Sequence, residues 1–395
     1  MLTRSRVASV GTSFLFLTGL AAAQSVIVVD GLNRPGTHFL DLPAAEAAAV
    51  NGDTILLRAD GGGYHGVATS KALTITGGTG GYATIIGPAP CFTISGLAAG
   101  TDFVLQNVEV LSTGAAGPAI SVQACLGRVH FVHVDVYNYS GPPGLDISLC
   151  SAVTVRDGTF LGRPGLRAQN TTLAASGARF YGQSGASATI LPSAGARLVD
   201  CTAWFGDVQA FGGNAWHTDA PGSGLELTNT TLSMTGRSNA SRAMSGHLGT
   251  QATPGFTAIV PAIVGQNSLL RLDPEVTLGT LGGAAPIVGV TATTATIPSF
   301  SLYGVWNLFT MTDPGTSTAV MTVVGFPANP LSLPGVEGRL WLDPAGMFAV
   351  AGVLGGYTGF NETMLPLGFT FTIQFAALQG ATLELSPPAI ARRRE

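Results

Sequence analysis

Between residues 51 and 75 two short runs alternate apolar and polar positions with period 2, around Ile55–Leu57 and Leu73–Ile75. They predict half-buried strands, and the glycine cluster Gly61–Gly63 with Tyr64 between them predicts a tight corner. Just before them, Asp41-Leu42-Pro43 leads into an alanine-rich run that reads as a helix over about 42–50. Asp41 can cap it, Pro43 suits its first turn, and Asn51-Gly52 can end it. Its apolar side, Leu42, Ala45 and Ala49, is suited to plugging the end of a stacked-strand structure.

The alternation then recurs as a degenerate repeat. LQNVEV (from Leu105), FVHVDV (Phe131), VRDGTF (Val155), ASGARF (Ala175), LVDCTA (Leu198) and LTNTTL (Leu227) align at steps of 26, 24, 20, 23 and 29 residues. One coil of three short strands and three turns needs about that length, and stacked coils bury a continuous core. The third aligned position is Asn107, His133, Asp157, Gly177, Asp200 and Asn229. These residue types fit a recurrent turn. Residues 250–298 lose the pattern and read as last coils or a connector. From Ser299 onward, apolar runs such as STAVMTVVGF and FTFTIQFAAL are spaced by Gly and Pro, which predicts a small antiparallel β-sandwich over 299–395.

Composition agrees with an exported β protein: 10% charged residues, 54 glycines and a mean hydropathy of +0.38. Residues 1–23 have the three parts of a secretory signal: Arg4 and Arg6, the apolar Phe14–Leu17, and Ala21–Ala23 before Gln24. No later segment offers the run of about 18 apolar residues of a spanning helix. Lys71 is the one lysine, and the 17 arginines are scattered apart from Arg392–Arg394. Nucleic-acid binding, which needs clustered cations, is therefore not expected. A monomer is expected. Cys125 and Cys150 lie about one coil apart, so they can be stacked neighbours, either bridged or as two buried thiols.

The alternating strands, glycine corners and coil-length repeat over about residues 40–250 resemble the right-handed parallel β-helix proteins of the pectin-lyase-like superfamily. That resemblance implies a right-handed solenoid over 24–298. The superfamily includes polysaccharide lyases, hydrolases and esterases as well as adhesins and proteins without catalysis, so it specifies fold more than activity. The NTD, DD, GHG and RIK segments of polygalacturonases are missing. LWLDPAG (340–346) and LSPP (385–388) resemble a C-terminal module found after repeat domains in exported proteins of planctomycete-like bacteria, which implies an accessory or attachment role.

The fifth aligned position supplies the candidate chemistry: Glu109, Asp135, Thr159, Arg179 and, two coils later, Thr231. Glu109 and Asp135 alternate with valines, so both should face outward on successive coils about 4.8 Å apart. Such a pair can perform acid–base work or hold Ca²⁺ through oxygen ligands, with Arg179 as a more distant cation; the alternative is an exterior ladder of solvated carboxylates. No other cofactor is expected. His133, at even spacing from Asp135, should share its face, whereas His130 should not. The long step WFGDVQAFGGNAWHTDAPGSG (204–224) reads as a loop offering Trp204, Trp216, His217 and Asp219 to a sugar, with Tyr137 and Tyr139 on the same surface. The sequence thus favours an extracellular or cell-surface module presenting a surface to a glycan or partner without catalysis. A polysaccharide lyase or hydrolase acting through Glu109 and Asp135, or a structural spacer in the envelope, is the alternative.

Overall fold

The computed structural model describes residues 25–392 except 79–80, 115, 186–190, 216–219, 237–241, 245–258, 296, 304–307, 313–316, 352–358 and 362–369. The expected signal segment, and Trp216, His217 and Asp219, lie outside the described residues. The chain is nearly all β. Its larger part is a parallel β-solenoid of about nine coils, and the smaller part consists of antiparallel sheets beyond Ser299.

Each coil has three faces. The first is built from strands such as Leu145–Ser148, Leu166–Gln169 and Ala196–Val199. The second carries Ala152–Arg156, Thr172–Ser176 and Thr202–Gly206. Thr159–Gly162, Arg179–Gly182 and Gln209–Phe211 form the third. Two longer strands, Asp102–Ser112 and Arg128–Asn138, run through the second and third faces around one corner. Inward positions fill one core, in which Phe180 packs against Phe160 and Phe205 with ring centroids 5.5 and 5.9 Å away.

The corners explain the repeat. Between the second and third faces Asn107, His133, Asp157, Gly177 and Asp207 have φ of 51–64°. Between the first and second faces a matching column, Ala124, Leu149, Asn170, Asp200, Asn229 and Asn267, has φ of 48–55°. A single left-handed residue turns the chain at each corner, and Asn, Asp and Gly dominate because they adopt that conformation most readily. The first four aligned segments are in true register. LVDCTA and LTNTTL are not: Leu198 pairs with Ala168, on the first face. The register of Ala175 passes instead to Phe205 and Met234. The column of Glu109, Asp135, Thr159 and Arg179 consequently continues to Gln209, and Thr231 does not belong to it.

Directly after the first corner come Cys125, Cys150, Thr171, Cys201, Thr230 and Ser268. Each donates its S–H or O–H to the carbonyl two residues back, at distances from 2.8 to 3.4 Å. The cysteines are therefore buried rungs of a hydroxyl–thiol ladder. Cys125 and Cys150 are stacked neighbours as expected, but all four cysteines are free thiols and no bridge joins them. Burial also lifts the Cys91 thiol to about 11, further suppressing its reactive thiolate. The native protein should resist a thiol reagent and yield four equivalents once unfolded. A yield of two after unfolding would mean a disulfide.

The ends of the solenoid differ. Helix Leu42–Ala48, capped by the Asp41 carboxylate, seals the N-terminal end with Leu42 and Ala45 fully buried. The second face is covered by the C-terminal sheets. Trp204 meets Trp341 edge-on at 5.9 Å above Ala152 and Ala174. Arg156 donates to the Ile390 carbonyl, and Arg271 forms a two-pronged pair with Glu384 at 2.9 and 3.2 Å. Within the C-terminal part, Val323, Leu340, Leu342 and Leu385 form one cluster, with Phe371, Ile373 and Phe375 in another. The two clusters lie on opposite faces of the sheet that holds Ala319–Gly325 and Thr370–Gln379.

Candidate functional site

With the second face covered, the third face carries two outward columns open to solvent. The polar column reads Thr84, Glu109, Asp135, Thr159, Arg179 and Gln209 in direct register. Between its members the valines 108, 110, 134 and 136 are fully buried, so the alternation behaves as the sequence predicts. Beside it runs a second column: Ile86, Leu111, Tyr137, Leu161, Tyr181 and Phe211.

The carboxylates occupy successive coils but bond to opposite neighbours. Glu109 Oε2 accepts from the Thr84 hydroxyl at 3.2 Å, on the coil before. Asp135 Oδ1 accepts from the Thr159 N–H at 2.7 Å, on the coil after. Arg179 stands one further coil away and is exposed. Burial raises the Tyr137 phenol above its ordinary value, and the nearby charges of Asp135 and Glu109 add to the rise. Among the described residues no three His, Cys, Asp or Glu side chains come together as a metal site.

The aromatic column is organised by stacking. Tyr181 and Phe211 lie parallel, 5.1 Å apart at 11°, so they occupy each other's faces and turn their edges outward. Tyr137 and Tyr139 stack at 6.0 Å and 10°. Tyr139 is 64% exposed, and Gln183 Nε2 donates to its carbonyl at 2.6 Å. It is thus the ring with most free surface for a flat apolar ligand face.

Three expectations need correction, those for Trp204, His133 and Phe211, while His130 lies off the Asp135 face as expected. Trp204 belongs to the strand Thr202–Gly206, not to a loop, and is 6% exposed beneath Trp341, with the Arg339 guanidinium 5.8 Å from its ring. It cannot meet a ligand while the C-terminal sheets stay docked. His133 does not share the face of Asp135, because it is the left-handed corner residue and points to Asp157 at 3.5 Å. His130 is buried on the second face, bonded through Nδ1 to Thr154 at 2.7 Å. Sequence reading missed the ladder members Tyr181 and Leu161, whose alignment with Tyr137 depends on coils of unequal length. Phe211, expected in the loop, is on the ladder.

Fold and site together define a parallel β-solenoid with a two-column outer strip and C-terminal antiparallel sheets packed on a neighbouring face. No protein-family model matches the chain, and no curated protein matches it. Among solved structures, the pectin methylesterase from Aspergillus niger in deglycosylated form is similar over 70% of this chain and 87% of that one, at 13% identity and a TM-score of 0.24.

Proposed function

We propose that the protein is an extracellular module that holds a polysaccharide chain along the third face of its solenoid without cleaving it. The observation that carries this reading is the pairing of an apolar, partly aromatic column with a column of hydrogen-bonding side chains, running side by side across successive coils. Sugars present apolar C–H faces and polar hydroxyl edges, and such a double strip offers partners for both. Tyr139 supplies a stacking surface. The hydroxyls of Tyr137 and Tyr181 and the side chains of Glu109, Asp135, Arg179 and Gln209 supply hydrogen bonds. The absence of cleavage is favoured by the opposed bonding of Glu109 and Asp135, which commits each carboxylate to a different coil.

The test is a glycan array and a degradation screen on the protein, with and without Ca²⁺. Binding without product is expected, and Tyr139→Ala should weaken it up to about tenfold, the loss of roughly 1.4 kcal/mol of ring contact. Release of reducing or unsaturated ends, abolished by Asp135→Ala with the fold intact, would make the protein an enzyme. Neither binding nor turnover would leave a structural spacer in the envelope.

A further inference from the structure

We propose that the open end of the solenoid is an interface between two copies of this chain, formed by pairing their last strands, Ile287–Thr294, edge to edge. That strand pairs in parallel with Ile263–Leu272. Among the described residues no strand pairs with its other edge. Its inward positions lie over the end of the core, and among the described residues no helix or strand seals them as the helix Leu42–Ala48 seals the N-terminal end. Ile287 and Val290 are only partly buried against the core, Ala292 and Thr294 are exposed, and Val288 is 44% exposed. An uncovered terminal coil exposes both apolar surface and unpaired backbone groups.

Two observations select a second copy as the occupant. The first is charge: no Asp, Glu, Lys, Arg or His occurs from Val276 to Thr312. Natural edges are usually blunted by charge or proline, and this one carries neither, so two such strands meet without like-charge repulsion. The second is the state of the opposite end. There the first strand, Val26–Val29, has its outer edge occupied: the Val28 N–H donates to His38 Nδ1 at 2.9 Å. The Val28 carbonyl accepts from the His38 and Phe39 N–H groups at 2.9 and 3.2 Å. With that end closed, a copy cannot add head to tail. It can add only through its own open end, which gives a closed two-fold dimer with the last strands antiparallel and not a filament. The interface replaces the monomer expected from the sequence and is independent of the glycan strip.

Sedimentation equilibrium of the intact protein tests it, with Ala292→Lys and Thr293→Lys as a matched pair. Ala292 pairs with the buried Leu270 and so points toward the core end, whereas Thr293 pairs with Arg271 on the outer face. The expected result is a dimer at micromolar concentration. Ala292→Lys should abolish it with an unchanged circular dichroism spectrum, and Thr293→Lys should retain it. A wild-type monomer at every concentration up to about 100 µM, far above the usual range of specific association, would overturn the proposal. So would a dimer that survives Ala292→Lys, since it would then form through another surface.

Discussion

Replacing Phe180 with alanine is expected to cost about 3–5 kcal/mol of stability, the range for truncating a buried aromatic ring. Phe180 has no exposed surface and sits between Phe160 and Phe205, so its loss leaves a void that the coils on both sides must share. The backbone of parallel coils is tied by ladder hydrogen bonds and cannot collapse freely into that void. Its sequence neighbour Arg179 faces outward and is exposed. Arg179→Ala should therefore change stability by no more than about 0.5 kcal/mol. Urea unfolding of the two variants side by side checks the alternation directly. Similar losses for both would mean that the strand register on this face is displaced by one residue. Hydrogen exchange adds a spatial readout: lost protection should be greatest in the coils containing Phe160, Phe180 and Phe205, because each coil is stabilised mainly by its neighbours.

That alternation is also what made the solenoid legible. Val108-Glu109-Val110 and Val134-Asp135-Val136 place apolar residues inward and charges outward with a period of 2, which no helix would tolerate. Asn107, Asp157, Asp200 and Asn229 marked corners for a definite reason, their tolerance of the left-handed conformation. The same chemistry also produced the alignment error. Two different corners of each coil use it, so Asp200 and Asn229 from the first corner look like Asn107 and Asp157 from the second in sequence. The cysteines were ambiguous because a buried thiol at a corner differs from a bridged one only in its partner. Their neighbours Thr171, Thr230 and Ser268, which make the same bond, reveal the role only once the register is known.

The candidate site was half legible. Glu109 and Asp135 could be placed on adjacent coils from sequence, since the step between them is a regular 26 residues and their segments match. Where their carboxylates turn depends on Thr84 and Thr159, and nothing in the local pattern shows that. Trp204 failed for another reason. An outward aromatic on a strand looks the same in sequence whether water or another domain lies over it. The clue was in its surroundings: Ala174 beside it in register, and Ser176 and Gly206 along the next outward row, are small where an exposed β face usually carries larger polar residues.

Trp204→Ala is therefore expected to uncouple the C-terminal sheets from the solenoid without unfolding either. The indole is one of two tryptophan rings at their junction and closes a cluster with Ala152, Ala174 and Trp341. Removing it should cost about 3–5 kcal/mol of docking, by the same large-to-small reasoning applied to a junction in place of a core. Polar contacts remain among the described residues: the Arg156 bond to the Ile390 carbonyl, the Arg271–Glu384 pair and the longer Arg271–Glu337 pair. The Arg271–Glu384 pair is a weak substitute for apolar contact. Burial pushes the Glu384 carboxyl above its ordinary range, while Arg271 draws it back only in part. A raised carboxylate of this kind contributes stability at low pH that is lost as pH rises toward its shifted value, so the uncoupled state should be favoured at neutral pH over mildly acidic pH. Calorimetry should show the wild-type transition splitting into two in Trp204→Ala, the smaller belonging to residues 299–392, with proteolysis becoming rapid in the connection near Ile297. Trp341→Ala should reproduce the result, because it removes the other half of the same contact. A single transition at an unchanged temperature in both variants would show that the two tryptophans do not hold the junction, and the weight would pass to Arg156 and Arg271.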